Sequence, residues 1–123
     1  MKRKTKKILE KDIQNQIIKA MNRLNFCVWR SNSGLIFLGK GRGAIRLAPA
    51  GTPDICGYDH LGRFVAVECK LPGKKLRPKQ VEWIEEAEAC GVRVCVAHSV
   101  QEALEFFDVK ASKLMLEHAR IVA

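Results

Sequence analysis

Residues 63–70, Arg-Phe-Val-Ala-Val-Glu-Cys-Lys, form an apolar run that ends with a carboxylate and an ammonium group two residues apart. Its apolar, partly β-branched centre predicts a buried strand. Successive side chains of a strand point to opposite faces, so Glu68 and Lys70 are predicted to emerge on the same face of a sheet. A carboxylate and an ammonium group are costly at the end of such a strand unless they serve a purpose.

A second strand is predicted over residues 52–58, before the turn formed by residues 59–62, Asp-His-Leu-Gly. The two strands are predicted to form an antiparallel hairpin. In a symmetric hairpin centred on Leu61, Asp54 and Glu68 are equidistant from the centre and therefore lie opposite each other on the same face. A β-bulge would shift this pairing by one residue.

The rest of the chain alternates helix and strand signals. Residues 31–50 are the least regular part and read as either a loose hairpin or a long mobile loop, with a glycine-rich basic flap at residues 39–43. The element order predicts one α/β domain over residues 1–123, a mixed β-sheet flanked by helices, with residues 1–7 as a basic, flexible N-terminus. The other predicted elements are a helix over 9–24, a strand over 26–29, a helix beginning at Pro78 and ending before Gly91, a strand over 92–97, a helix opened by the capping box 99–102, and a last helix over 111–119.

The composition favours a soluble intracellular protein. Hydrophobic residues make up 47% of the chain, but no apolar run approaches the ~20 residues that a membrane helix needs, and no signal peptide is apparent. Five cysteines occur without a CxxC motif or Cys/His spacing for zinc, which favours small buried thiols in a reducing compartment. Trp29 and Trp83 are expected in the core rather than as base-stacking platforms.

Positive charge is concentrated in a few segments. The formal net charge is +9, and five of the first seven residues are Lys or Arg. Such segregation suits a polyanion such as nucleic acid, although solvated faces produce similar runs. The residues predicted to contact DNA are Arg30, Lys40, Arg42, Arg46, Lys74 and Lys75.

Two carboxylates that face each other repel, and each raises the other's pKa unless a cation lies between them. Magnesium is bound by one or two carboxylates together with waters and phosphate oxygens, which Asp54 and Glu68 could provide, with the Cys69 backbone carbonyl as a further ligand. Lys70 could position an attacking water and stabilise charge developing on phosphorus. The alternative is an ordinary surface ion cluster.

The same residues carry a family resemblance. Residues 51–54, Gly-Thr-Pro-Asp, followed by residues 68–70, Glu-Cys-Lys, resemble the PD-(D/E)xK nuclease signature. The wider pattern is similar to the VRR-NUC (virus-type replication-repair nuclease) family within it, and the resemblance runs from about Glu10 to Ala97. That pattern adds an acidic first helix, Trp-Arg-Ser-Asn-Ser-Gly at 29–34, Leu-Arg-Pro-Lys-Gln at 76–80 and the strand that begins at Gly91-Val92.

The resemblance implies a restriction-endonuclease-like core, dependence on Mg²⁺ or Mn²⁺, and cleavage of DNA. It also implies that Asp54 and Glu68 bind metal, that Lys70 serves the water, and that Gln80 lies at the edge of the site. Stand-alone members of the family resemble Holliday-junction resolvases and tend to form homodimers.

The resemblance further implies an acid on the first helix. Glu10 is favoured because a carboxylate is the better ligand for a hard cation, while Gln14 competes for the position. Valine is usual in the family where this chain has Cys69, and the side chain at that position is expected to face away from the site.

The expected function is therefore a metal-dependent, structure-selective DNA endonuclease that cleaves branched duplexes. The expected protein is phage-like in size and located in the cytoplasm of a bacterial or phage-host cell. The alternative is a non-catalytic nucleic-acid-binding module derived from a nuclease fold. A small-molecule enzyme or a protein adaptor is a third possibility.

Overall fold

The computed structural model describes residues 7–31 and 35–107. The described part is a mixed α/β fold, which confirms the predicted class. The predicted helix over 111–119 and most of the basic N-terminal segment lie outside the described residues. The elements are α1 (Glu10–Arg23), β1 (Cys27–Arg30), β2 (Leu35–Phe37), β3 (Ala44–Arg46), β4 (Ile55–Tyr58), β5 (Phe64–Cys69), α2 (Pro78–Ala89), β6 (Arg93–Ala97) and α3 (Val100–Phe106).

Four strands form the main sheet in the order β1-β4-β5-β6. The β1–β4 and β4–β5 pairs are antiparallel, and β5 and β6 are parallel. A parallel pair needs a crossover connection, and α2 supplies it. Among the described helices, none combines the length and apolarity required to cross a bilayer.

The β4–β5 hairpin has the predicted register. Ile55 pairs with Val67 and Tyr58 with Phe64, so no bulge shifts the ladder. Asp59 fixes the turn, because its carboxylate accepts hydrogen bonds from the backbone N–H groups of Leu61 and Arg63, each at 2.9 Å. Continuing the ladder by one residue brings Asp54 opposite Glu68.

The two faces of the sheet are covered differently. One face is covered by α1 and α3. There Ile17 and Met21 of α1 pack with alternate residues of β5, including Val67 and the Cys69 side chain. On the other face, α2 packs Ile84 on a smaller apolar cluster. All five cysteines are free thiols; Cys56, Cys69 and Cys95 are buried, whereas Cys27 and Cys90 are exposed.

Trp29 is not in the core, contrary to the prediction. It is 49% exposed and makes an edge-to-face contact with the half-exposed Tyr58, with ring centroids 6.3 Å apart. Trp29 lies on edge strand β1, on the face of the sheet that α2 covers, but α2 packs over β6 at the opposite edge of the sheet. Trp83, on α2, is partly buried against the smaller cluster.

The irregular stretch contains a hairpin, which settles the alternative that the sequence left open. Strands β2 and β3 form a separate two-stranded antiparallel sheet. Its turn is closed by backbone bonds from Leu38 N–H to the Gly43 carbonyl at 3.0 Å and from Arg42 N–H to the Gly39 carbonyl at 3.2 Å.

Candidate active site

Asp54 and Glu68 come together where β4 begins and β5 nears its end. The Asp54 Oδ2 atom accepts a hydrogen bond from the Cys69 backbone N–H at 2.9 Å, which ties this carboxylate to the neighbouring strand. Pro53, immediately before it, is fully buried and anchors the loop. Cys69 therefore contributes a backbone group here, while its thiol points into the opposite core as predicted.

The Glu68 carboxylate is buried, with only 2% of the residue exposed. Its Oε1 atom accepts a hydrogen bond from the Gln80 side-chain amide at 3.0 Å, whereas Oε2 is buried without a hydrogen-bond partner among the described residues. Burial is the larger cause and the negative charge of Asp54 the next, and together they raise the pKa of Glu68 to about 8. The positive charge of Lys70 acts in the opposite direction. A buried acceptor without a partner is rare in native structures, so Oε2 is free to accept a ligand.

Gln80 is buried, 8% exposed, in the first turn of α2. Its amide nitrogen donates a hydrogen bond to Glu68, and its Oε1 atom accepts one from the Arg77 backbone N–H at 2.8 Å. That N–H precedes the helix, where donors lack intrahelical partners. One side chain thus caps the helix and orients the carboxylate, and the resemblance that placed Gln80 at the edge of the site did not indicate this burial.

Gly51 sets how closely the Asp54 loop approaches α2. Its φ is +85°, and a Cβ built on it would lie 2.1 Å from the Lys79 carbonyl oxygen and 2.9 Å from the Gln80 nitrogen. Only glycine permits both this backbone conformation and this approach. Gly51 is a positioning residue that the sequence marked only as the start of the Gly-Thr-Pro-Asp step.

Lys70 follows β5 directly and is 7% exposed. Its backbone N–H donates to the Ala97 carbonyl at 3.0 Å, which extends the parallel β5–β6 pairing to the edge of the site. Strand alternation puts its side chain on the Glu68 face. No described carboxylate lies within 4.0 Å of its ammonium group.

Glu10 begins α1 and reaches the end of β5 from the other side of the sheet. Its Oε1 atom accepts a hydrogen bond from the Leu71 backbone N–H at 3.4 Å, and its charge contributes to the raised pKa of Glu68. Gln14 lies one turn further along α1 and is partly buried. Within residues 7–31 and 35–107, no three or more His, Cys, Asp or Glu residues are grouped so as to hold a metal ion.

The residues predicted to contact DNA lie on several surfaces. Lys40 and Arg42 are exposed in the β2–β3 turn, and Lys74 and Lys75 are exposed in the loop between β5 and α2. Arg30 is exposed on β1, and its guanidinium donates a hydrogen bond to Asn15 on α1. Arg46 lies in β3, and its side chain is outside the described part of the structure.

Residues 42–101 match the family model described as "VRR-NUC domain". Over these residues the chain is similar to a VRR-NUC domain. A solved structure titled "VRR_NUC domain" aligns with a TM-score of 0.60 at 21% identity, covering 80% of this chain and 94% of that one. Among curated proteins, none matches the sequence significantly.

The VRR-NUC match places the fold of this chain in a nuclease family. The matched region holds Asp54, Glu68, Lys70 and Gln80, whereas Glu10 precedes it. The carboxylate pair therefore lies within the region that matches the VRR-NUC family model.

Proposed function

We propose that this protein is a metal-dependent endonuclease that hydrolyses phosphodiester bonds of DNA. The observation that carries the proposal is the buried Glu68 carboxylate, whose Oε2 atom lacks a hydrogen-bond partner among the described residues and which lies opposite Asp54 in the hairpin. A surface ion cluster would be solvated and would leave no buried acceptor unpaired.

The donor set fits a hard divalent cation. Mg²⁺ takes one or two protein carboxylates and completes its shell with waters and phosphate oxygens, so the absence of a three-ligand cluster in the described residues is compatible with it. Asp54 and Glu68 would hold Mg²⁺ or Mn²⁺, joined by the Cys69 backbone carbonyl and, through the first helix, Glu10. When bound, the ion supplies Lewis-acid stabilisation of the charge on the scissile phosphate.

The remaining groups act on water and phosphate. The Lys70 ammonium group lies on the Glu68 face, outside ion-pair distance of any described carboxylate, so it is available to orient a water and to stabilise charge developing on phosphorus. Gln80 holds Glu68 Oε1, which leaves the other carboxylate oxygen directed at the ligand. Fixing the ligand orientation in this way lowers the reorganisation required at each turnover.

Branched DNA is the proposed substrate, and a homodimer the proposed assembly. One small domain carries one carboxylate pair, whereas a two-fold dimer presents two such pairs to two strands of a junction. Exposed Lys40, Arg42, Lys74 and Lys75 would hold the DNA backbone, with little sequence preference and a steep dependence on salt.

Cleavage assays test the proposal directly. The protein is expected to nick four-way junctions, flaps or duplexes with Mg²⁺ or Mn²⁺ but not with EDTA. Asp54→Asn should lower the cleavage rate by at least about a hundredfold while DNA binding persists, and Lys70→Ala should lower the rate without abolishing metal binding. Asp12→Asn, on α1 and away from the pair, serves as the matched control. Absence of cleavage on all three substrates with either metal would overturn the proposal.

The second candidate is a non-catalytic DNA-binding module. It is favoured by the lack of a three-ligand metal group among the described residues. It predicts DNA binding that is unaffected by Asp54→Asn and insensitive to divalent ions. Anomalous scattering from a Mn²⁺-soaked crystal separates the two candidates, because only the enzyme requires a peak beside Asp54 and Glu68.

A further inference from the structure

The β2–β3 hairpin exposes apolar side chains on both of its faces. Phe37 is 79% exposed and Ile45 is 51% exposed. Because Phe37 pairs with Ala44 whereas Ile45 pairs with Ile36, the two side chains project from opposite faces of the ribbon. Leu38 and Leu47, just beyond the two strands, are 42% and 45% exposed. Among the described elements, β2 and β3 pack mainly on each other.

The turn of the hairpin is basic. Lys40 and Arg42 are exposed in a loop whose three glycines, Gly39, Gly41 and Gly43, all have positive φ. No Asp or Glu occurs between Asp12 and Asp54, whereas six Lys or Arg residues do. The positive charge of the β2–β3 hairpin therefore complements a polyanion and disfavours an acidic protein surface.

Both ends of the hairpin lie close to residues of the carboxylate site. Before β2, the Ser31 backbone N–H donates to the Asp54 carbonyl at 2.7 Å. After β3, the chain leads into the loop in which Gly51 rests on the first turn of α2. The base of the hairpin therefore lies beside the loop that carries Asp54.

We infer that the β2–β3 hairpin is a wedge that recognises branch points, in which Lys40 and Arg42 hold phosphates while Phe37 stacks on an unpaired base. The inference rests on the proposed function and names the feature of the substrate that the site selects. Apolar side chains on DNA-binding elements insert at opened base steps, and aromatic side chains stack on exposed bases without regard to sequence. Opening a base step is least costly where pairing is already interrupted, so such a wedge favours forks and junctions over linear duplex.

Binding measurements in EDTA test the wedge separately from cleavage. The probes are a forked duplex with 2-aminopurine at the branch point and a linear duplex of the same sequence. Wild-type protein is expected to raise 2-aminopurine fluorescence and to prefer the fork. Phe37→Ala should abolish the fluorescence rise and weaken fork binding about tenfold, with linear-duplex affinity within about twofold of wild type.

Three further variants complete the design. Phe37→Trp should retain fork preference, because stacking is preserved. Leu61→Ala removes a side chain that is 61% exposed in the distant β4–β5 turn and should match wild type. The double variant Lys40→Ala/Arg42→Ala should weaken fork and linear binding equally and lower the slope of log affinity against log salt by about two.

Three results would overturn the inference. Phe37→Ala could leave fork affinity and fluorescence unchanged, or it could weaken fork and linear DNA to the same degree. It could also convert a dimer to a monomer in light scattering without altering fork preference, which would assign the hairpin to a contact with a second copy. Each is distinct from failure of the proposed nuclease activity, which only the metal-dependent cleavage assay detects.

Discussion

The Gln80 side-chain amide donates a hydrogen bond to Glu68 Oε1, 3.0 Å away, and joins the first turn of α2 to the carboxylate pair. Its Oε1 atom at the same time accepts from the Arg77 backbone N–H. Helix position and carboxylate orientation are therefore coupled through one residue. In metal sites, a residue that orients a ligand in this way commonly affects metal affinity.

Replacing Gln80 by Ala is expected to lower Mn²⁺ or Mg²⁺ affinity about 10- to 100-fold, because Glu68 loses the bond that fixes its orientation. Isothermal titration calorimetry measures the affinity. Gln101→Ala is the matched control, since Gln101 donates to Glu105 at 3.0 Å on an exposed helix surface. Equal metal affinity in wild type and Gln80→Ala would contradict the prediction.

Gly51→Ala is expected to destabilise the protein more than Gly62→Ala does. Both glycines have positive φ, +85° and +79°, so each alanine incurs the cost of a left-handed backbone, about 1–2 kcal/mol. At Gly62 a Cβ meets nothing within 4 Å, whereas at Gly51 it meets the Lys79 carbonyl at 2.1 Å. The free energy of unfolding in urea separates the two costs, and equal losses would show that the close approach to α2 is unimportant.

Stability of the metal-free protein is expected to fall as pH rises from about 5 to about 8. Burial and the Asp54 charge raise the pKa of Glu68 from 4.5 to about 8, so the folded state binds its proton more tightly than the unfolded state. That contribution is complete below the ordinary pKa and is lost as pH approaches the raised value. Urea unfolding at several pH values measures it.

Glu68→Gln should flatten this pH profile, whereas Glu82→Gln, at an exposed position on α2, should leave it unchanged. Metal and proton compete for Glu68, so metal affinity should rise over the same range. Calorimetry in two buffers of different ionisation enthalpy should detect proton release on binding. A pH profile that Glu68→Gln does not alter would exclude this residue as the source.

Asp59→Asn is expected to destabilise the fold by about 3 kcal/mol and to leave metal binding intact. The Asp59 side chain is 1% exposed and forms salt bridges to Arg63 at 2.8 Å and Arg93 at 2.7 Å. Burial alone would raise its pKa, but the hydrogen bonds from Arg63 and Leu61 and the Arg63 charge hold it below the ordinary 3.8. Its contribution to stability is present at neutral pH and is lost as pH falls below that value.

Thermal unfolding at neutral and acidic pH measures the Asp59 effect. Asp12→Asn is the control, since the Asp12 carboxylate accepts only an exposed bond from the Leu9 N–H, at 3.1 Å. Should Asp59→Asn unfold at the wild-type temperature, the ion pairs of the Asp59 carboxylate would not be stabilising the hairpin end.

The register of the β4–β5 hairpin was predictable because it depends on local information. A short turn with Asp and Gly joins two runs of clear strand character, and symmetry about Leu61 then pairs Asp54 with Glu68. The structure shows what holds the turn: the Asp59 carboxylate accepts hydrogen bonds from two backbone N–H groups of its own turn. The α/β class follows from the element order in the same way.

Features that depend on how elements pack were not predictable. Strand alternation assigns Trp29 to a face but does not say that α2 leaves this face open at β1. The burial of Gln80 likewise depends on where α2 begins relative to β5. Glycine spacing in residues 31–50 was compatible with a loop or a hairpin, because the choice depends on pairing between β2 and β3.

The distribution of the five thiols makes the native chain suitable for site-directed fluorescent labelling. Burial raises the pKa of Cys56 and Cys69, and raises that of Cys95 to about 12, so these three remain protonated and shielded at neutral pH. Maleimide dyes should therefore couple to Cys27 on the edge strand and to Cys90 at the end of α2. Substrate engagement can then be followed optically without introducing any cysteine.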